Sequence, residues 1–293
     1  MKLITYLVMI LCLTSHYCIA TDSTVTYLKS EAVNDDRNVY FIELLKLVFD
    51  KTQLPTNKVQ LQETQDSMQQ GRAIKELEAG RAIDILWSVT SIEREQQLLP
   101  IRIPLLKGLL GYRIFIIRDQ EQTRFSSINT IDELQQYIAG QGHDWPDTKI
   151  LKANNINVVT SPTYKGLFSM LKAKRFDYFP RGINEIWLEM DSINANGLAI
   201  DEHLLFYYPS PIYFFVNKKN KALAHRIERG LYLAMLDGSF DQLFHSIKAH
   251  QRMFELAKLK QRTMIKLTNP LLPPRTPINS APLWLKPEQL IQE

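Results

Sequence analysis

Residues 77–94, LEAGRAIDILWSVTSIER, hold a helix end, a buried strand and a polar turn that opens onto a second helix. Gly80 suits the left-handed residue that closes a helix, because it has no Cβ to clash there. Ile83, Ile85, Leu86 and Trp87 form a short apolar run, the pattern of a strand covered on both faces. Polarity then switches. Ser88, Thr90 and Ser91 precede a helix-like run, and Thr90 with Glu93 has the spacing of a capping box. This puts Arg94 in the first turn, near free backbone N–H groups and the positive end of the helix dipole, where an anion is stabilised. Two readings stay open. Thr90 and Arg94 form half of an anion site, or Thr90 is a cap and Arg94 a surface charge.

Residues 1–20 read as a secretory signal peptide. Lys2 gives the positive region, 3–13 the apolar stretch, and Cys18-Ile19-Ala20 a small-x-small cleavage site. The apolar run is too short to span a bilayer, and bulky His16 and Tyr17 argue against lipid attachment through Cys18. Cys12 and Cys18 are the 2 cysteines of the chain, so the chain after Ala20 has none. That excludes thiol catalysis, cysteine-ligated zinc and iron–sulfur clusters, and leaves stability to a large core. The remaining length suffices for one large domain or two lobes. The net charge of +4 arises from 35 Lys+Arg against 31 Asp+Glu, well interspersed. The densest basic run, 258–266, reads as a solvated helix face, so no nucleic-acid partner is expected. No later apolar run is long enough to cross a membrane.

Strand, polar loop and helix then alternate, which points to an α/β fold. Strands are expected at 24–28, 59–61, 112–117, 137–139, 156–160, 176–179, 204–208 and 212–216. Helices are expected from Val39 to the Leu54-Pro55 stop, at 66–79, 164–174, 183–190 and 222–236, and as one long helix at 240–259. Thr130 and Glu133 again have capping-box spacing. Residues 140–147, GQGHDWPD, read as a turn into a helix, with Asp144 as N-cap and Pro146 in the first turn. Pro180-Arg181-Gly182 is expected to break the strand before it. The proline-rich tail from Asn269 should be extended over the surface, anchored by Trp284.

Three motifs carry a resemblance: Gly80-x-x-x-Asp84 followed by Thr90 and Arg94; Tyr208-Pro209-x-Pro211-x-Tyr213-x-Phe215-Val216; and Leu236-Asp237-Gly238-Ser239-Phe240. Their order resembles the type 2 periplasmic binding proteins, specifically the bacterial extracytoplasmic solute-binding protein family 3 with its amino-acid receptors. The resemblance implies two α/β lobes joined by two crossover strands, with a ligand in the cleft between them. Lobe 1 would be 21–113 with 213–293, and lobe 2 would be 114–212. It further implies that Thr90 and Arg94 hold a ligand carboxylate, that the turn 142–145 (Gly142, His143, Asp144, Trp145) supplies N–H groups from the other lobe, and that hinges lie near 112–115 and 209–213. The implied role is capture of a small anionic or zwitterionic solute, an amino acid or related carboxylate, by a periplasmic monomer serving an inner-membrane ABC-type importer. A sensor that partners a membrane receptor is the alternative, and a dehydratase-like enzyme on the same fold carries less weight.

Two departures bear on the ligand. The Thr90-to-Arg94 spacing is one residue shorter than in the usual receptors. Where those place the aspartate that meets a ligand's ammonium, this chain has Arg181, leaving Asp144 and Glu185 as candidates. Arg94 with Arg181 would favour a dicarboxylate or another two-ended anion. Trp87, Tyr27 and Trp145 either line the cleft or pack in the core, the commoner role of aromatic residues. His143 beside Asp144 invites a proton-transfer or metal reading, but no second histidine stands at ligand spacing. No G-x-S-x-G elbow is present and Gly140-x-Gly142 is no dinucleotide fingerprint, so no catalytic residue, metal or cofactor is expected.

Overall fold

The computed structural model describes residues 23–30, 38–53 and 58–285. The expected signal segment and the Leu54-Pro55 stop lie outside the described residues. The chain opens with β1 (Ser23–Lys29), α1 (Val39–Lys51) and β2 (Val59–Ser67), then α2 (Gln70–Ala79), β3 (Ile85–Val89), α3 (Ile92–Gln97) and β4 (Leu99–Ile101). It continues with β5 (Tyr112–Arg118), α4 (Gln122–Ser126), α5 (Ile131–Leu134), β6 (Ile138–Gly142), α6 (Pro146–Ala153), β7 (Asn157–Ser161), α7 (Tyr164–Lys172), β8 (Phe179–Gly182) and α8 (Ile186–Ser192). The last part holds β9 (Leu198–Ile200), β10 (Leu204–Tyr207), β11 (Ile212–Val216), α9 (Lys221–Leu236), α10 (Ser239–Ser246), α11 (Lys248–Leu256) and β12 (Thr263–Lys266).

Two sheets define two lobes. The first has the order β2-β1-β3-β11-β4, in which β1 runs parallel to β2 and β3, and β11 returns antiparallel between β3 and β4. All of β11 is buried. Tyr213 and Phe215 face the core shared with Ala73 and Leu77 of α2, while Phe214 and Val216 face that of α1 and α9. This two-sided burial is the period-2 logic of a central strand, and each large side chain contributes about 1.5–3 kcal/mol. The second sheet has the order β12-β10-β5-β8, with β9 on β5 and the pair β6-β7 joined through an Ala139–Tyr178 bridge.

The chain passes from β4 to β5 through 102–111 and returns from β10 to β11 through 208–211. At this double passage Tyr208 N–H donates to the Gly111 carbonyl at 3.1 Å. A Cβ on Gly111 would stand 2.4 Å from the Tyr208 carbonyl oxygen, so only glycine lets the two crossovers touch.

Several local expectations meet the structure and others need correction. Gly80 closes α2 at φ +65°, and Thr130 with Glu133 forms a full capping box. Ser91, not Thr90, caps α3, accepting from Arg94 N–H at 3.1 Å. Thr90 is still tied to the return crossover, its N–H donating to the Pro211 carbonyl at 3.0 Å, so the helix starts one residue later. Pro180-Arg181-Gly182 does not break a strand but belongs to β8, the last strand in the order β12-β10-β5-β8, where a proline can be accommodated on the open side. The helix expected at 240–259 is two helices, parted at Ile247, whose backbone is extended. Within 258–266, expected as a solvated helix face, Thr263–Lys266 is a strand parallel to β10 with Ile265 buried. That pairing puts β12 in the second sheet, so 213–293 is not confined to the first lobe.

The tail then returns. Ile92 N–H donates to the Leu271 carbonyl at 3.0 Å and Leu285 N–H to the Lys107 carbonyl at 2.9 Å. Trp284 packs against Gly108, where a Cβ would meet its ring at 2.3 Å.

At the start of α11, His250 lies buried between Tyr40 and Phe244, with ring centroids at 4.7 and 4.4 Å, and its Nδ1–H donates to the Phe244 carbonyl at 2.8 Å. Burial lowers its pKa from 6.5 to about 4, against the opposing pull of that carbonyl. Between these values the unfolded chain binds the proton and the folded chain does not. Stability is therefore complete above pH 6.5 and declines towards pH 4, by roughly 3 kcal/mol for this group. Urea midpoints recorded from pH 7.5 to 4.5 should fall more steeply for the native protein than for His250→Gln. Parallel declines would show that this imidazole is not the titrating group.

Candidate functional site

A cavity of about 260 Å³ lies between the two sheets, lined by Phe41, Gln70, Trp87 and Ser88 from the first and by Gly142, Asp144, Trp145, Asp147 and Tyr164 from the second. Arg113, Arg181 and Glu185 line its floor. This is slightly smaller than the ~300–1,000 Å³ of pockets for drug-sized ligands, and suits a small solute.

The first-lobe wall is aromatic. Trp87 stacks on Phe41 at 5.5 Å and 17°, and its Nε1–H donates to Asn38 Oδ1 at 3.1 Å. Tyr27 stands 5.8 Å from Trp87 but outside the cavity lining, so it supports the wall from behind. Thr90 does not reach the cleft; its hydroxyl donates to Glu95 at 2.8 Å. Arg94 also stands behind the surface. Its guanidinium donates to Ser88 Oγ at 2.8 Å, to the Val89 carbonyl at 2.6 Å and to Gln70 Oε1. Ser88 and Gln70 are themselves cavity residues, so they screen Arg94 from the space. Among the described residues no carboxylate pairs with it. Burial lowers its pKa to about 10, with only the more distant Asp144, Asp147 and Glu93 charges opposing.

The turn 142–145 of the second lobe is partly spent on itself. His143 N–H donates to the Ser161 carbonyl at 3.1 Å and Trp145 N–H to the Gly142 carbonyl at 3.2 Å. The His143 side chain is half exposed, 3.9 Å from Asp144, and is not part of the lining. Trp145, not Asp144, is the residue before α6. Asp144 instead reaches across the cleft and accepts the Gly71 N–H of α2 at 2.9 Å. Trp145 lies against Gly142 and carries the Arg181 guanidinium over its ring at 4.8 Å.

Arg181 lines the cleft with its charge already matched. Its Nη2 lies 2.5 Å from Glu189 and 2.9 Å from Glu185. Burial works against this charge, but the two carboxylates outweigh it and raise the pKa. The same chain of charges continues to Arg113, whose Nη1 is 3.8 Å from Glu185 and whose Nη2 is 2.6 Å from Asp147. Burial again opposes the charge, and Asp147, Tyr208 and Glu185 prevail. Tyr208 donates its hydroxyl to Asp147 and lies under the Arg113 guanidinium at 5.6 Å. The two guanidinium groups expected to converge are thus unequal: Arg181 is at the cavity and neutralised, Arg94 one layer behind it with only neutral acceptors.

No protein-family model matches the chain, and no curated protein matches it by sequence. Solved structures do match in three dimensions. An ancestral arginine-binding protein bound to arginine is 19% identical with a TM-score of 0.56, over 76% of this chain and 97% of that one. A binding component of an ABC transporter from Wolinella succinogenes, complexed with lysine, is 14% identical with a TM-score of 0.57, over 77% and 94%. A histidine kinase sensor domain with similarity to periplasmic binding proteins is 16% identical with a TM-score of 0.56, over 75% and 93%. The fold is that of the two-lobed periplasmic binding proteins. At these identities the likeness establishes that fold alone.

Within this periplasmic-binding-protein fold, sequence reasoning gave no site role to Arg113, Asp147, Tyr208 or Glu189. The available signal was a guanidinium inside the apolar run YRIFII at 112–117, because a charge in a buried strand must find partners. Glu189 is fully buried and paired with Arg181, and removing one partner of such a pair leaves an uncompensated charge. Glu189→Ala should therefore lose about 3–5 kcal/mol of unfolding free energy in urea titrations. A loss under 1 kcal/mol would show that Glu185 alone sustains Arg181.

Proposed function

We propose that this chain is an extracytoplasmic solute-binding protein that captures a small zwitterionic solute, an amino acid or a related carboxylate, in the cleft. The observation that carries this reading is the pairing of opposite poles across one small cavity. Arg94 on the first lobe is a buried cation with only neutral acceptors, and Asp144 on the second is a carboxylate held by one backbone N–H. A ligand carboxylate replaces the Gln70 amide oxygen on Arg94, gaining a charge-assisted bond in a dry site. Its ammonium meets Asp144, while Trp87 and Trp145 flank the remainder.

A dicarboxylate fits less well than Arg94 with Arg181 had implied, because Glu185 and Glu189 already neutralise Arg181. Binding that joins both lobes also favours the closed arrangement, which is how a ligand shifts a hinge equilibrium. The partner in this reading is an inner-membrane ABC-type importer. A membrane sensor is the second reading, supported by the sensor-domain likeness at a TM-score equal to that of the arginine-binding protein. Pull-down from solubilised membranes separates these two.

Native mass spectrometry of the purified protein, followed by calorimetry with the common amino acids, tests the capture itself. One-to-one binding without turnover is expected; conversion of the ligand would indicate an enzyme. Gln70→Glu tests the Arg94 pole, since it supplies Arg94 with an internal carboxylate of nearly the same shape. The variant should melt at a higher temperature than the native protein and bind the amino acid at least ten-fold more weakly. Unchanged affinity would remove Arg94 from the site.

A further inference from the structure

At the hinge end of the cavity, polar atoms stand in a pattern that neither a carboxylate nor an ammonium group satisfies. Arg113 on β5 is 3% exposed and lines the cavity. Among the described residues its Nε–H has no acceptor, and its Nη2, although close to Asp147, is not aligned for a hydrogen bond. Gly182 is the residue opposite Arg113 in the β5-β8 register, so no side chain from that position covers the guanidinium. Glu185 folds over the glycine instead, accepting its N–H at 3.3 Å. Beside it, Asn184 Oδ1 is a buried acceptor with no donor among the described residues. A Cβ on Gly182 would stand 2.8 Å from Asn184 Oδ1 and 3.1 Å from Glu185 Oε2, so both acceptors border the Gly182 position opposite Arg113.

The charges around this corner narrow the choice. Arg113 and Arg181 are met by Asp147, Glu185 and Glu189, two cations against three carboxylates within 3.8 Å contacts. A ligand carboxylate there would add to the negative excess and leave Asn184 Oδ1 without a donor. An ammonium or guanidinium would balance the excess but leave Arg113 Nε–H without an acceptor and lie beside two guanidinium groups. A carboxamide presents a carbonyl to Arg113 and an NH₂ to Asn184 and Glu185, and satisfies both.

We propose that Arg113, Asn184 and Glu185 form a carboxamide subsite, so that the captured solute is an amino acid with an amide side chain. This rests on the amino-acid reading of the cleft and specifies the ligand's far end. Sites built to pair with a polar group reject close analogues strongly, because the unmatched partners stay buried and unpaired.

Calorimetry with L-glutamine, L-glutamate and L-lysine tests the subsite. Glutamine should bind at least ten-fold tighter than either of the others. Arg113→Lys keeps the charge but loses the Nε–H edge, and should reduce that preference to less than three-fold. Should Arg113→Lys fail to fold, Asn184→Ala serves instead, with glutamine affinity falling while glutamate affinity holds. Glutamate or lysine binding as tightly as glutamine to the native protein overturns the subsite and leaves amino-acid capture standing. Binding of an amino acid without a side-chain amide, with none of these three, does the same, whereas asparagine binding supports the subsite. Absence of binding to any amino acid overturns both.

Discussion

A guanidinium taken out of water costs several kcal/mol unless acceptors surround it, and three such groups are buried against the cleft of this protein. Each recruits a different part of the fold to offset that cost. Arg94 draws in the end of β3 and the first residue of α2. Arg181 holds α8 onto β8 through Glu189, and Arg113 joins the crossover strand to α6 through Asp147. The positions of the walls follow from these requirements as much as from apolar packing. They also give the floor its rigidity, since every carboxylate in the chain from Glu189 to Asp147 has a fixed partner.

The distribution of these partners explains the electrical character of the cleft. The arginines that face it are answered by carboxylates of the protein, whereas the pole nearest the first lobe is answered only by a hydroxyl, an amide and a carbonyl. Asp144, which crosses to α2, is in the same position with respect to donors. The cavity thus has one saturated end and one end where neutral groups stand in for ions. An amide oxygen is a weaker partner for a guanidinium than a carboxylate, so the proposed exchange at Arg94 would favour a ligand carboxylate.

The alternation of strands and helices, the Gly80 closure and the Thr130 capping box were legible because each depends on neighbours within a few residues. The two-lobed architecture was legible through the order of motifs. What was not legible depends on distant contacts. Thr90 lost its capping role because Pro211, far along the chain, holds its backbone. Ile247 parts two helices where His250 ties back to Phe244, and 263–266 turned from helix face to strand because β10 offered an edge. Arg113 was hidden by its apolar neighbours: a pattern that marks a buried strand also conceals a charge within it. Asp144 has the composition of a helix cap, and only the opposite lobe reveals its other use.

The pairing of β12 with β10 has a consequence for how the polypeptide acquires its shape. As a chain emerges from the ribosome or a translocation channel, β10 appears about sixty residues before its neighbour, and its outer edge lies bare for that interval. Bare strand edges are templates for mispairing between molecules. The second lobe therefore matures last although its sequence lies mostly in the middle, and truncations near the C-terminus would injure that lobe by removing the strand that covers β10.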